Sequence, residues 1–310
     1  MCGPRSMRSA KRSCTAYDPA SMPPASRPAI RNVSDTALWV AIYRAMESER
    51  PDAIFRDPYA RRLGGERGEA IVRAMPKGRA WAWPMIVRTA VMDEIIERVV
   101  TQRSAHSVLN LAAGLDTRPY RLALPAETHW FHVDLPPLVD DVQRQLEGER
   151  PRCALEFVPA DLTMSVERRE LLARVARAGG PVLAVSEGLL VYLQPEQVAA
   201  LARELAAEPA LRYWLIDLAA PELLKMLQKK WQSSLAPGGA PMVFAPRDGT
   251  RWFEPWGWRE VEFRSMWEEA LRLERAPSAA WLWNLLGRLM PRARREAMRR
   301  MSGIVLLERT

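Results

Sequence analysis

Short apolar runs recur along the chain at residues 108–112, 130–133, 155–158, 182–185 and 213–218, and stretches with helical spacing separate most of them. Each run is too short for a helix and carries the large apolar residues of a strand buried on both faces. Their alternation with helices predicts an α/β fold, a parallel sheet covered on both sides. Two further runs, 259–263 and 303–308, extend the sheet to seven strands. Upstream, residues 35–47 place Leu38, Ile42 and Ala45 on one helical face, with Ser34 or Asp35 available as N-cap. Arg50-Pro51 ends that helix, because the residue before proline is biased away from helix. The glycine-rich stretch 64–68 predicts a break. Helix returns over 84–102, where Met85, Val91, Met92, Ile95, Ile96, Val99 and Val100 form a stripe leading into the first strand. No internal repeat is visible.

The first strand runs into SVLNLAAGLDTRPYRL, residues 107–122, where the β-formers stop at Gly114 and Asp116, Thr117 and Arg118 follow. That is how a parallel strand delivers backbone and polar groups to a small ligand. The second strand, in HWFHVDLP, ends in Asp134, 20 positions after Gly114. An acid at that tip reaches the ribose hydroxyls of a nucleoside-containing cofactor. The three glycines of a dinucleotide loop are missing, and so is a Gly-x-x-x-x-Gly-Lys sequence. Nothing cradles a pyrophosphate, which favours a nucleoside without phosphates.

AGLDTRPYRL, HVDLP, the PADL at 159–162 and SEGLLVYL at 186–193 resemble the leucine carboxyl methyltransferase family of S-adenosylmethionine-dependent enzymes. The likeness is to its bacterial branch, which includes tetracenomycin-type polyketide O-methyltransferases. Segments 33–68 and 253–263 (FEPWGWREVEF) are similar to that branch too, so the resemblance covers roughly residues 33 to 310. It implies a class I methyltransferase-like (Rossmann-like) fold with the last strand antiparallel. The expected organisation is a single domain over 32–310: a helical lid at 32–103, then a sheet core at 104–310 with an acceptor-side insertion near 225–258.

The resemblance also implies roles. Arg44, Arg88 and Tyr192 stand where family residues grip the carboxylate of S-adenosylmethionine, a task suited to the planar fork of arginine. Gly114 lets the backbone approach the methionine part, Asp134 takes the ribose, and Asp161 with Leu162 flanks the adenine. Asp116, Leu135 and Glu187 complete the cofactor set. Glu187 and Tyr192 are also the acceptor-side candidates, with no catalytic residue assigned and no metal required. Each position has a plain structural alternative: a strand-to-helix turn at Gly114, solvated loop acids at Asp134 and Asp161, a solvated Arg88, a core Tyr192, and a buried, paired Glu187.

The acceptor is expected to be a polyketide-like or aromatic small molecule, methylated on a carboxylate or phenolic oxygen. His106, His129 and His132 all lie in or beside predicted strands, and this scarcity of free imidazole mildly favours an acceptor that is already acidic. Residues 231–258 break the pattern with prolines, glycines and Trp231, Phe244, Trp252, Phe253, Trp256 and Trp258. Together with a helical stretch over 281–290 this aromatic loop could form the acceptor pocket; ordinary core packing explains the same residues. The alternatives are methylation of a protein C-terminal carboxylate, a cofactor binder without turnover, and a nucleic-acid binder.

Composition adds compartment and partners. At 310 residues and 48% hydrophobic, the chain can bury one large core. Its net charge of +8 is concentrated in residues 1–31 and 288–300, each with six basic residues against one acidic, so the body is close to neutral. Residues 1–31, rich in Ser, Pro, Ala and Arg, read as a disordered basic tail without a signal-peptide core. The basic 288–300 segment, ordinarily a solvated face, would otherwise touch a membrane surface or nucleic acid, the latter less favoured. No stretch is apolar enough to span a bilayer. Cys2, Cys14 and Cys153 have no metal-ligand spacing, which fits a reducing cytoplasm. The oligomeric state is not legible in the sequence.

Overall fold

The computed structural model describes residues 35–75, 78–103, 105–235, 241–278, 280 and 290–310. The tail at 1–31 and the stretch 281–289 lie outside the described residues. Seven strands form one sheet: β1 Ser107–Leu111, β2 His129–Asp134, β3 Ala154–Pro159, β4 Val182–Ser186, β5 Leu211–Ala219, β6 Trp258–Ser265 and β7 Ser302–Arg309. Their order is β3-β2-β1-β4-β5-β7-β6. The first five are parallel, and β7 is antiparallel to both its neighbours. This is the architecture of a class I methyltransferase.

Every residue of β1 and of β4 is buried, as strands covered on both faces must be. On one face lies α3, Trp83–Gln102, whose Val91, Ile95 and Val99 pack with Val108, Leu183, Leu215 and Leu306. On the other lies α7, Pro195–Ala207, whose Val198, Leu201 and Leu205 meet Leu109, Val182 and Trp214. Among the described residues the other α-helices are α1 Asp35–Ser48, α2 Ala60–Ala74, α4 Arg118–Arg121, α5 Pro136–Gln145, α6 Ser165–Ala178, α8 Pro221–Leu235, α9 Met266–Arg272 and α10 Arg292–Arg299.

The break expected at 64–68 falls at Gly65, whose non-helical backbone (φ +54°, ψ −171°) divides α2 into two helical pieces, while Gly64 and Gly68 stay within them. They are there for contact with α1: a Cβ on Gly68 would lie 2.8 Å from the Leu38 carbonyl oxygen and from Ile42 Cγ1. The aromatic segment is not a loop throughout, since α8 runs to Leu235 and a 3₁₀ helix covers Gly249–Trp256. Phe253 and Trp258 stack edge-on against Trp214 of β5, with Trp252 against Phe253. These rings are core, and Trp258 Nε1 donates to the Ala202 carbonyl oxygen at 2.9 Å.

Strand order reverses between β1 and β4. A crevice forms where the chain leaves these neighbours in opposite directions, at the carboxyl ends of the strands. The loops bearing Gly114 and Glu187 therefore meet.

Candidate active site

A cavity of about 1280 Å³ opens over the carboxyl ends of β1, β2, β4 and β5. It is roofed by residues of α1, α3, α8, α9 and α10. All ten residues expected to bind the cofactor, Arg44, Arg88, Gly114, Asp116, Asp134, Leu135, Asp161, Leu162, Glu187 and Tyr192, line it.

The β1 exit is built on unusual backbone. Ala112 has φ +52° and Gly114 φ +57°, the left-handed region that non-glycine residues rarely occupy. Such conformations gather at ligand sites, where the surroundings over-determine them. A Cβ at Gly114 would approach Ala37 Cβ of α1 at 3.2 Å, so α1 lies directly against this turn. Asp134 Oδ2 accepts the Gly114 N–H at 2.7 Å and Oδ1 accepts the Leu135 N–H at 2.7 Å. Burial pushes the Asp134 carboxyl above its ordinary value, against the pull of these two bonds. Each oxygen keeps a lone pair beyond its backbone bond. Asp161 Oδ1 accepts from the N–H and hydroxyl of Thr163 at 2.8 and 2.7 Å.

The other half of the floor is a chain of buried ion pairs. Arg88 donates from Nε to Glu187 at 2.9 Å and from Nη1 to Asp217 at 3.1 Å, while the second Asp217 oxygen takes the Gly188 N–H at 2.7 Å. Arg118 Nη1 reaches the other Glu187 oxygen at 2.8 Å and Asp116 at 3.0 Å, and its Nε reaches Asp93 at 2.6 Å. Asn110 fixes Asp116 from β1 at 2.6 Å. Arg121 holds the far side of Asp93 at 2.5 Å, and Arg44 of α1 pairs with Asp57 at 2.8 Å and with the Leu115 carbonyl oxygen. Glu187 thus takes the paired, buried alternative read from the sequence, and Arg88 is not the solvated arginine of its alternative but is buried against two acids, both still facing the cavity.

Burial alone would raise the Glu187 carboxyl, but Arg118 and Arg88 outweigh it and hold it down at about 2. Burial pushes the Tyr192 hydroxyl, bonded to Thr36, up to about 12. Neither group exchanges a proton near neutrality. His132 is buried behind the turn with Nε2 3.2 Å from the Gly114 carbonyl oxygen, and burial lowers its pKa. His129 pairs with Glu156 at 2.8 Å. No histidine lines the cavity among the described residues.

Because the folded pKa of Glu187 lies below the ordinary 4.5, the stability it contributes is complete above about pH 4.5 and drains away toward pH 2. Urea midpoints should fall between about pH 5 and pH 3, and Glu187→Gln should flatten that slope. Equal slopes would show that another group governs the acid limb.

The model of the leucine carboxyl methyltransferase family matches residues 37–206. The chain belongs to that family. A Streptomyces coelicolor protein provisionally named an S-adenosyl-L-methionine-dependent methyltransferase is 29% identical over 263 residues, covering 78% of this chain and 88% of its own. A DUF574-family crystal structure from Streptomyces avermitilis is similar with TM-score 0.55 at 15% identity, covering 87% of this chain and 97% of its own. A provisionally named methyltransferase from Thermobifida fusca also gives 0.55, at 16% identity, covering 93% and 98%. The enzyme is an S-adenosylmethionine-dependent methyltransferase.

The residues present fit this cofactor, which supplies a methyl group on a cationic sulfonium. The floor of the methyltransferase cavity presents Asp116, Asp134, Asp161, Glu187 and Asp217 against Arg44, Arg88 and Arg118, an acidic surplus suited to a cationic ligand. Arg118 and Asp217 were not among the sequence candidates. Arg118 stood in the GLDTR motif, and Asp217 lies in the carboxyl-terminal part of β5, while Asp134 ends β2. Among the described residues the rings Trp39, Trp81, Trp83 and Trp267 line the cavity, and of the expected aromatic segment Phe244 does so, while the expected Trp281 and Trp283 lie outside the described residues.

Proposed function

We propose that the enzyme methylates an oxygen that arrives already ionised, a carboxylate or an acidic phenol, on a flat apolar small molecule. The supporting observation is the cavity wall opposite the strand ends, where Trp39, Trp81, Trp83, Met85, Met242 and Phe244 gather with no imidazole among the described residues. At about 1280 Å³ the cavity exceeds the roughly 300–1,000 Å³ of a one-ligand pocket, leaving room for donor and acceptor together. In this reading Arg44, Arg88 and Tyr192 take the cofactor carboxylate, Asp134 its ribose, and Asp161 with Leu162 its adenine. Gly114, Asp116, Leu135 and Glu187 shape the rest of that half.

The sulfonium is an activated donor, so the protein's task is to align the acceptor oxygen in line with the S–C bond at about 3 to 3.5 Å. An anionic oxygen is attracted to the sulfonium, more strongly once water is excluded. A neutral alcohol would need a base, which neither Glu187 nor Tyr192 supplies. Incubation with methyl-labelled cofactor and matched aromatic carboxylates, nitrophenols and benzylic alcohols tests this. Label should enter the first two classes only, as base-labile esters or base-stable ethers. Transfer to alcohols, or only to the terminal carboxylate of peptides, would overturn the reading; the family's description makes that second arm necessary.

A further inference from the structure

Where α8 and α10 border the cavity, three of its lining methionines are solvent-exposed. Met226 on α8 is 47% exposed, and Met298 and Met301, on and just after α10, are 42% and 37% exposed. These are half of the six large hydrophobic side chains exposed among the described residues, gathered along one border of the cavity. The Ala220 N–H, donating to the Met301 carbonyl oxygen at 2.8 Å, ties the start of α8 to the end of α10.

Basic groups flank the methionines: Lys225 and Lys229 on α8, and Arg292, Arg294, Arg295 and Arg299 on α10. The nearby acids are Glu222, Glu268 and Glu296, of which the last two are taken by Arg299 at 3.0 and 3.3 Å. The other five cations are exposed and make no ion pair with a described residue.

Thioether side chains ringed by exposed cations match the surface of a helix lying in a lipid interface, apolar groups among the acyl chains and cations at the phosphates. We propose that this rim docks on an anionic lipid bilayer. Resting on the small-molecule reading above, docking would let an apolar acceptor enter the cavity from the membrane rather than from water. The charge sign selects anionic headgroups. A single-stranded nucleic acid would instead need exposed rings for stacking, and among the described residues the exposed large hydrophobics of this rim are methionines.

The test is flotation of the full chain with vesicles of phosphatidylglycerol and phosphatidylcholine, 1:1, against phosphatidylcholine alone. Binding is expected only to the anionic vesicles, weakening in high salt. Each interfacial cation is worth roughly a fivefold change. The fourfold variant Lys225→Gln, Lys229→Gln, Arg292→Gln, Arg294→Gln, none of which lines the cavity, should therefore lower partitioning more than a hundredfold. Met226→Gln with Met298→Gln should lower it severalfold at any salt. Calorimetry with S-adenosylmethionine on the charge variant should match the parent, showing that the fold and donor site persist. No flotation overturns the proposal. So does flotation unchanged in the fourfold variant, which would place it elsewhere, as in the basic residues 1–31. Tight binding of an oligonucleotide that both variants weaken while vesicles do not float overturns it in favour of nucleic acid. None of these outcomes bears on methyl transfer, which cofactor binding and turnover report separately.

Discussion

Replacing Arg118 with methionine is expected to lower the unfolding free energy by roughly 3 to 5 kcal/mol, the cost of stranding buried charge by removing its partner. Arg118 is 2% exposed and touches Asp93, Asp116 and Glu187 at 2.6 to 3.0 Å. It is the one cation that all three acids share. Asp93 keeps Arg121 and Glu187 keeps Arg88, but Asp116 is left with Asn110 and a backbone N–H. Lysine keeps the charge but cannot form the fork, so Arg118→Lys should fall between parent and methionine variant. Urea unfolding at neutral pH measures both. A loss below about 1 kcal/mol in Arg118→Met would mean that water reaches the acids and the network is not a closed unit.

Asp134→Ala is expected to weaken S-adenosylmethionine binding by roughly ten- to 150-fold, or about 1.5 to 3 kcal/mol, the range for hydrogen bonds to a charged group. The carboxylate is fixed by two backbone N–H groups before any ligand arrives, so little ordering cost opposes the proposed ribose contact. Its removal also frees the Gly114 N–H and loosens the turn. S-adenosylhomocysteine shares the ribose and should lose affinity equally. Calorimetry with both ligands separates the cases: equal losses mark the ribose, a loss confined to the sulfonium form marks charge attraction, and unchanged affinity removes Asp134 from the site.

The sheet was legible because its signal is local. Each strand is a short apolar run, and the observed bounds differ from the expected ones by no more than two residues, as with 213–218 against Leu211–Ala219. The turn at Gly114 and the acid at Asp134 were legible for the same reason, one following each strand. What failed depends on the partner. Gly64 and Gly68 read as punctuation until α1 is seen lying against them. Trp252, Phe253 and Trp258 read equally as ligand wall or as core until Trp214 is seen among them. Asp93, Arg118 and Glu187 come from α3, α4 and the loop after β4, and no spacing in one sequence joins them.

The two halves of the cavity have separate origins. In the proposed reading strand tips and their turns, joined by Arg44 of α1 and Arg88 of α3, form the donor side, locked together by ion pairs, whereas the opposing wall is drawn from helix surfaces such as those bearing Trp39, Trp83 and Met226. A change of substrate can therefore be made by exchanging side chains on the roof while the donor seat stays as it is. Engineering of acceptor range belongs at those helix positions, and the sheet margin is best left untouched.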